Sequence, residues 1–181
     1  MRWEHDGGLR VEFARKRDAL PILALHREVL AERDWFITLP GEFTVTLETV
    51  TERVQQYAEA ENCLFLVARL PRKPVVGFLV VHGGQLARMR HAGKLEVMVQ
   101  RSSRGHGVGR ALLTACIEWA RQSTVTRKLG LSVFTSNKRA IALYRTHGFQ
   151  EEGRRPREYR MADGSWHDDL LMYLFVDDET D

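Results

Sequence analysis

One stretch of the sequence decides the fold: residues 95–113, which read LEVMVQRSSRGHGVGRALL. A strand-like run leads into three alternating glycines, Gly105, Gly107 and Gly109, and an amphipathic helix pattern follows. Glycine lets the backbone turn tightly and bring its N–H groups close to a ligand, and the N-terminus of the next helix adds partial positive charge. The stretch therefore predicts an anion-binding site, although a turn that only joins a strand to a helix would explain the same glycines.

The spacing of these glycines narrows the kind of anion. A Walker loop needs a lysine after its glycines, and none follows here, while Arg110 stands where the third glycine of the Rossmann fingerprint belongs. What remains is the pattern Arg104-x-x-Gly107-x-Gly109. Each helix-dipole contact contributes roughly 0.3–2 kcal/mol, so several N–H groups must converge, and a pyrophosphate offers enough oxygens to use them.

A second informative segment, residues 135–149, reads TSNKRAIALYRTHGF. Asn137 can cap a helix there, and Gly148 is placed to end it. Tyr144 falls on the apolar face of this helix, where, taken alone, core packing explains it more readily than chemistry does. The segment predicts the end of a strand, a short helix and a new strand.

Together the two segments resemble the GNAT superfamily of acetyl-CoA-dependent N-acyltransferases. The Arg/Gln-x-x-Gly-x-Gly/Ala turn of that family matches residues 104–109, and its Asn-x-x-Ala-x-x-Leu-Tyr-x-x-x-Gly-Phe stretch matches residues 137–149. The resemblance implies one N-acetyltransferase domain over residues 1–181, with a mixed α/β fold. In this fold a mixed, largely antiparallel sheet of about seven strands, splayed at the strand that binds the cofactor, is flanked by about four helices.

The other hydrophobic patterns agree with the family's order of elements: strand, two helices, three strands, helix, strand, helix and two strands. We expect a long connection at residues 32–46, and Thr49-x-x-Glu52 has capping-box spacing for the second helix. The expected strands lie at 9–15, 63–68, 75–81, 94–99, 129–134, from 148, and at 167–176, and the expected helices start at 18, about 49, 107 and 137.

The resemblance implies acetyl-CoA as the cosubstrate and a role for each motif. Backbone groups of Val97 and Val99 would pair with the pantetheine amides, N–H groups of residues 104–110 would hold the pyrophosphate, and Asn137 would contact the pantetheine arm near the thioester. The implied cofactor-binding residues are Val97, Val99, Arg104, Gly105, His106, Gly107, Val108, Gly109, Arg110 and Asn137.

The resemblance also implies a catalytic acid, whereas the general base has to be inferred from the residues themselves. Tyr144 falls on the family's frequent general acid, and a phenol with an ordinary pKa near 10 stays protonated until a thiolate departs. Glu96 is the best candidate for the general base, although a strand carboxylate that faces solvent explains it nearly as well. His82 and His91 could relay protons or simply be solvated. Ser132 stands where the ribosomal-protein alanine N-acetyltransferases carry a glutamate.

The sequence gives conflicting indications of the amine that accepts the acetyl group. Glu32, Asp34 and Glu42, in or beside the long connection, suit a cationic amine, whereas residues 154–157, RRPR, suit an acidic acceptor. A small molecule, an amino acid and a peptide α-amine all stay open. The acceptor side is expected to be closed by Tyr159, Trp166 and residues 168–172.

Composition excludes several other classes of protein. The 181 residues, 44% hydrophobic with a formal charge of +3, fit one domain. Cys63 and Cys116 have no paired spacing, and no histidines or carboxylates show metal-ligand spacing, so we expect neither a disulfide framework nor a metal. Basic residues form no stripe interleaved with aromatic residues, so we expect no nucleic-acid partner. Without an apolar run of roughly 20 residues or a signal sequence, we expect no membrane partner and a cytoplasmic location.

Two hypotheses about the function therefore remain. The first is an N-acetyltransferase in which a primary amine attacks acetyl-CoA directly. The second is a catalytically silent acyl-CoA-binding sensor or interaction module on the same fold, against which the retained Tyr144 counts. Homodimers are frequent in the family, so the resemblance allows a homodimer without identifying its interface.

Overall fold

The computed structural model describes residues 2–33 and 35–177, so Asp34 lies outside the described residues. The strands and helices follow the expected order, with one additional short strand before them. The elements are β1 (Arg2–Glu4), β2 (Arg10–Phe13), α1 (Ala19–Ala31), α2 (Leu47–Glu59), β3 (Leu64–Arg69), β4 (Val75–Gly83), β5 (Ala92–Val99), α3 (Val108–Gln122), β6 (Lys128–Phe134), α4 (Lys138–Thr146), β7 (Gln150–Arg160) and β8 (Trp166–Phe175).

The strands form one sheet in the order β1-β2-β3-β4-β5-β6-β8-β7. Every neighbouring pair is antiparallel except β5 and β6, which run parallel. The prediction of a mixed, largely antiparallel sheet with four helices is confirmed, and the described residues hold eight strands rather than about seven. The additional strand is β1, whose Trp3 pairs with Val11. Three residues are too few for an alternating pattern to be recognised in sequence.

The parallel pair separates soon after it forms. Its register runs only from Ala92 opposite Lys128 to Lys94 opposite Gly130, whereas β5 stays paired with β4 as far as Val99. Beyond Lys94, β5 therefore has one free edge. This is the predicted splay.

The hydrogen-bond phase of β4 and β5 decides which backbone groups face that free edge. The Gly84 N–H donates to the Ala92 carbonyl at 3.0 Å, and the Gln100 N–H donates to the Val76 carbonyl at 2.9 Å. Because antiparallel pairs alternate, the even-numbered residues of β5 bond to β4. The backbone groups of Val97 and Val99 consequently point toward the gap between β5 and β6.

Helices cover both faces of the sheet and give it two apolar cores. On one face α3 and α4 bury residues such as Leu112, Ile141 and Tyr144 against the strands. On the other face α1 and α2 pack over residues such as Phe78 and Met98. The gap between β5 and β6 connects these two faces, which positions the site described below.

Two local features differ from the sequence patterns. The second helix begins at Leu47, because the Thr46 hydroxyl accepts the Thr49 N–H at 3.2 Å and caps it three residues before the position that capping-box spacing favoured. The apolar pattern of the helix that opens at residue 18 also includes Leu20, whereas the Leu20 side chain is 62% exposed. The connection at 32–46 is confirmed for its described residues, apart from a short 3₁₀ turn at Pro40–Glu42. None of the described helices has the length and apolar character that crossing a bilayer requires.

Candidate active site

A cavity of about 1120 Å³ opens where β5 and β6 separate. We call its two halves the glycine-turn end and the acidic end. The glycine-turn end is lined by the free edge of β5, the start of α3 and one face of α4, with Val97, Val99, Gly105, Gly107, Val108, Gly109, Arg110, Asn137 and Tyr144. The acidic end lies over the other face of the sheet, where carboxylates and aromatic rings predominate, with His26, Phe43, Lys94, Glu96, Phe134, Tyr159 and Asp169.

Backbone conformation makes the glycine-turn end an anion cradle. Gly105 and Gly107 have φ angles of +87° and +79°, in the left-handed region that favours glycine. The first hydrogen bond of α3 runs from the Ala111 N–H to the Gly107 carbonyl at 2.9 Å. The N–H groups of residues 108–110 therefore have no acceptor inside the helix, and they lie at its positive end. These features fit a pyrophosphate.

Arg104 joins this turn to the first helix. Its Nε donates to the Val99 carbonyl at 3.0 Å, and its two terminal nitrogens donate to Glu32 at 2.7 and 2.8 Å. Its backbone N–H donates to the Arg101 carbonyl at 3.2 Å. The Arg104 N–H and the Val99 carbonyl thus already have protein partners, which leaves the following N–H groups for an anion. Glu32, which was expected to face an acceptor, is likewise engaged.

His106 differs from its neighbours in the turn. Its ring is exposed, with Nδ1 lying 3.1 Å from the Arg104 carbonyl oxygen, and it is not among the residues that line the cavity. A role in anion binding could therefore come only from its backbone.

Two residues of the second motif lie in α4 or at its start. Asn137 caps this helix, as predicted, because its side-chain oxygen accepts the Ala140 N–H at 3.1 Å. Gly148 ends it with a φ of +88°. Tyr144 is 7% exposed yet lines the cavity, and burial raises its pKa to about 12. Its phenol therefore remains protonated at any pH near neutrality.

Glu96 lies at the acidic end, in a chain of three polar side chains. The Tyr57 hydroxyl lies 2.6 Å from His82 Nδ1, and His82 Nε2 lies 3.4 Å from a Glu96 carboxylate oxygen. A neutral histidine with its proton on Nε2 satisfies both contacts. The hydrogen bond from His82 is the main reason that the pKa of Glu96 is lowered, and burial opposes it. Glu96 is therefore ionised. His91, by contrast, is exposed and lies outside the cavity lining.

His26 is a cavity residue that the sequence analysis did not consider. It lies in α1, with its ring centroid 4.4 Å from that of Phe43 and 5.6 Å from that of Phe78. Burial is the main cause that lowers its pKa, so the imidazole is neutral at pH 7. No local pattern marks it, because the residues around it come from distant parts of the chain.

The C-terminal strands supply the rest of the acidic end. Tyr159 and Asp169 line the cavity, as does Ser132 on β6. Trp166 is 52% exposed and is absent from the lining, so the expectation that it closes this side is wrong. Glu42 lines the cavity as expected, while Asp34 lies outside the described residues.

The arginines of residues 154–157 do not reach the cavity lining. Arg154 is bonded to Asp168, and Arg155 lies 3.6 Å from Glu158. Of the residues behind the two conflicting cues to the acceptor, Glu42 therefore lines the site and the arginines do not. Among residues 2–33 and 35–177, no cluster of three or more histidines, cysteines or carboxylates could hold a metal ion.

The fold and the two motifs define a class of acyl-CoA-dependent transferases. The profile of the acetyltransferase (GNAT) family matches residues 30–149, about two thirds of the sequence, and the chain belongs to this family. Its cosubstrate is acetyl-CoA.

Individual relatives agree with this assignment. The GNAT-family acetyltransferase structure from Streptococcus pneumoniae is 30% identical, with a TM-score of 0.87 over 92% of this chain and 99% of that one. The L-amino acid N-acetyltransferase AaaT of Escherichia coli is 30% identical over 98 residues, 54% of this chain and 60% of that protein. The N-alpha-acetyltransferase RimI of Mycobacterium tuberculosis is 45% identical over 58 residues, 32% of this chain and 34% of that protein. The chain thus spans less than two thirds of either curated relative.

Proposed function

We propose that this protein transfers the acetyl group of acetyl-CoA to a primary amine by direct attack. The observation that carries the proposal is a single cavity with an anion cradle and a buried, protonated Tyr144 at one end and the ionised Glu96 at the other. A binding module would need the cradle, but it would have no use for an acid and a base on opposite sides of the same gap.

The glycine-turn end would bind and orient the acyl donor. When bound, acetyl-CoA supplies an activated acetyl thioester. N–H groups of residues 105–110 would hold its pyrophosphate, while the backbone of Val97 at the free edge of β5 and Asn137 would contact the pantetheine arm. The Tyr144 hydroxyl would donate its proton to the departing thiolate, and its high pKa keeps that proton in place until then.

The acidic end would prepare the amine. An alkylamine with a pKa near 10.4 must lose a proton before it attacks, which costs roughly 4 kcal/mol at pH 7.4. Glu96, held ionised by His82, would accept that proton. His82 and Tyr57 would position the Glu96 carboxylate and are not assigned direct contact with the substrate.

The charge at the acidic end supports a cationic acceptor. Glu42, Glu96 and Asp169 line the cavity near Lys94, whereas the arginines of the lining, Arg104, Arg110 and Arg139, belong to the glycine turn and to α4. Ser132 stands where the ribosomal-protein enzymes have a glutamate, so we do not propose their substrate. A cytoplasmic location stays a prediction from the sequence.

Release of free CoA from acetyl-CoA, followed by mass spectrometry of the products, tests this function. The acceptors should include monoamines, diamines, free amino acids and short peptides with a free α-amine. We expect time-dependent CoA release and an acetylated amine with at least one class. Binding of acetyl-CoA without release for any class would favour the silent acyl-CoA sensor instead.

A further inference from the structure

Asp169 on β8 has a buried carboxylate oxygen, Oδ2, without a hydrogen-bond partner among the described residues, and the Tyr159 hydroxyl is the neutral group that acts on this carboxylate. The residue is 1% exposed and lines the acidic end of the cavity. A buried polar atom without a partner costs about 1–3 kcal/mol, and more when it is charged, so native proteins keep few of them. In a binding cavity, such an atom indicates that the donor comes from the ligand.

The nearest cations in the protein compensate Asp169 only partly. Arg155 Nη1 lies 3.8 Å from Oδ2, beyond hydrogen-bond distance, and it is half-exposed and shared with Glu158 at 3.6 Å. Lys94 faces the same cavity and acts on Asp169 as a more distant charge. Burial outweighs these cations, so the pKa of Asp169 is raised. A ligand cation placed against Oδ2 would supply both the missing charge and the missing donor.

The fold gives Asp169 a role distinct from that of Glu96. Asp169 is opposite Phe134 near the end of β6, while Glu96 lies on β5, across the gap where the two strands have separated. Both belong to the same face of the sheet and the same cavity. One carboxylate can therefore deprotonate the reacting amine while the other binds a group at a different point of the same molecule.

We infer that Asp169 anchors a second cationic group of the acceptor, so the acceptor is a diamine or polyamine. This inference rests on the proposed function, whose amine class it narrows. The reacting nitrogen becomes neutral at Glu96, and the distal ammonium stays charged and donates to Asp169. The rings of Phe134 and Tyr159 beside Asp169 offer apolar walls to the methylene chain between the two nitrogens.

Three amines with the same number of carbon atoms test whether the acceptor carries a second cation. 1,4-Diaminobutane, 1-aminobutane and 4-aminobutanoate share the reacting amine and differ only in the distal group: a cation, a methyl or an anion. We would titrate each into the CoA-bound protein by calorimetry. We expect 1,4-diaminobutane to bind at least tenfold more tightly than the other two. Equal binding of all three, or preference for 4-aminobutanoate, would overturn the inference and would mean that the Asp169 carboxylate is met by water, by the Tyr159 hydroxyl or by Lys94.

Variants of the protein test whether the preference for the diamine depends on the Asp169 carboxylate. Asp169→Asn should reduce the advantage of the diamine to within about twofold, a loss of about 1.4 kcal/mol for each factor of ten. Asp168→Asn is the matched control, because the same substitution falls on the neighbouring carboxylate, which is bonded to Arg154 outside the cavity lining, and it should leave the preference intact. Lys94→Gln removes a competing cation and should strengthen diamine binding, which keeps the test valid if Asp169→Asn fails to fold. A preference that survives in folded Asp169→Asn would refute the role of Asp169.

Acetyl transfer to the same three amines separates this inference from the proposed function. If the diamine binds in an Asp169-dependent way but receives no acetyl group, the subsite stands and the proposed function fails. If acetyl transfer occurs but neither KM nor Kd depends on the distal cation, the function stands and the subsite is wrong.

Discussion

The two ends of the cavity are built from different parts of the polypeptide. At the glycine-turn end, the groups that can face a ligand are mostly backbone N–H and C=O groups, supplied by the continuous residues 95–113 and by α4. At the acidic end they are side chains from α1, β5, β6, β7 and β8 and from the connection before α2. One end depends on how a short segment folds, and the other depends on how distant segments meet.

This difference suits a site in which the binding of the acyl donor is fixed while the chemistry that recognises the amine can vary. A backbone cradle tolerates many side chains as long as the turn keeps its conformation. An end lined by side chains changes its chemistry with each substitution and leaves the sheet intact. The Arg104–Glu32 pair connects the two ends, because it ties the glycine turn to the residue that follows α1.

Removal of the acid at the glycine-turn end should have the largest effect. Tyr144→Phe deletes one hydroxyl from a buried ring, so donor binding should persist while the thiolate loses its proton source. We expect kcat to fall about 100-fold or more, in the range of general acid catalysis, with the Kd for acetyl-CoA within twofold. Initial rates of CoA release and calorimetry with acetyl-CoA measure the two quantities.

Tyr173→Phe is the control for that change. Its hydroxyl donates to Gln150 at 3.1 Å on the exposed part of β8, outside the cavity lining, so kcat should not change. Unchanged turnover in Tyr144→Phe would remove the acid from the mechanism and reduce the glycine-turn end to a binding site.

A change to the turn itself should have a smaller effect, on affinity. Gly107→Val places a β-branched residue at a φ of +79°, where the left-handed conformation costs about 1–2 kcal/mol, although no atom would obstruct the new Cβ. The turn should relax and misdirect its N–H groups, which raises the Kd for acetyl-CoA roughly tenfold. Gly153→Val is the control, because Gly153 lacks a left-handed φ and its Cβ would also meet no neighbour. Equal affinities in the two variants would show that the backbone of the turn does not hold the donor.

Sequence reasoning succeeds where a feature is local. The tight turn at Gly105 and Gly107 depends on nearest neighbours, and the structure agrees with it. The cap at Asn137 and the glycine that ends α4 are equally local. The phase of residues 94–99, by contrast, was implied by the family resemblance and depends on the pairing of β5 with β4. β1 was not predicted, because three residues are too few to show an alternating pattern. The cap at Thr46 was not predicted, because Thr49 is also a residue type that is preferred at the N-cap of a helix.

The acidic end shows why the rest could not be predicted. His26 acquires its surroundings from Phe43 and Phe78, which lie 17 and 52 residues away in the sequence. Asp168 and Asp169 are adjacent acids in the sequence, yet β8 turns one toward Arg154 and the other into the cavity. Only tertiary packing distinguishes these two carboxylates. The sequence likewise could not decide between a cationic and an acidic acceptor, because it does not show that the arginines of residues 154–157 lie outside the cavity lining.

The smallest effect should come from the residue that supports Glu96. In His82→Asn the hydrogen bond that lowers the pKa of Glu96 is lost, so this pKa rises toward its ordinary value. Because the base acts as a carboxylate, its activity is lost as the pH falls through its pKa. The acid limb of the kcat profile should therefore move to higher pH, with little change at pH 7, where Glu96 is ionised in both proteins. His91→Asn, in an exposed position outside the cavity, should leave the profile unaltered.

The direction of that shift decides whether the acidic end titrates as the structure indicates. Folding stability depends on pH in the same direction as kcat. A carboxylate whose pKa is lowered by folding stabilises the native state above its unfolded pKa, and this contribution is lost as the pH falls through its folded pKa. His82→Asn should therefore also reduce the decrease in folding stability that occurs when the pH is lowered. If the acid limb stays in place while Glu96→Gln still lowers kcat, Glu96 orients the amine without accepting its proton. The neutral His26 would then be the next group to test as the base.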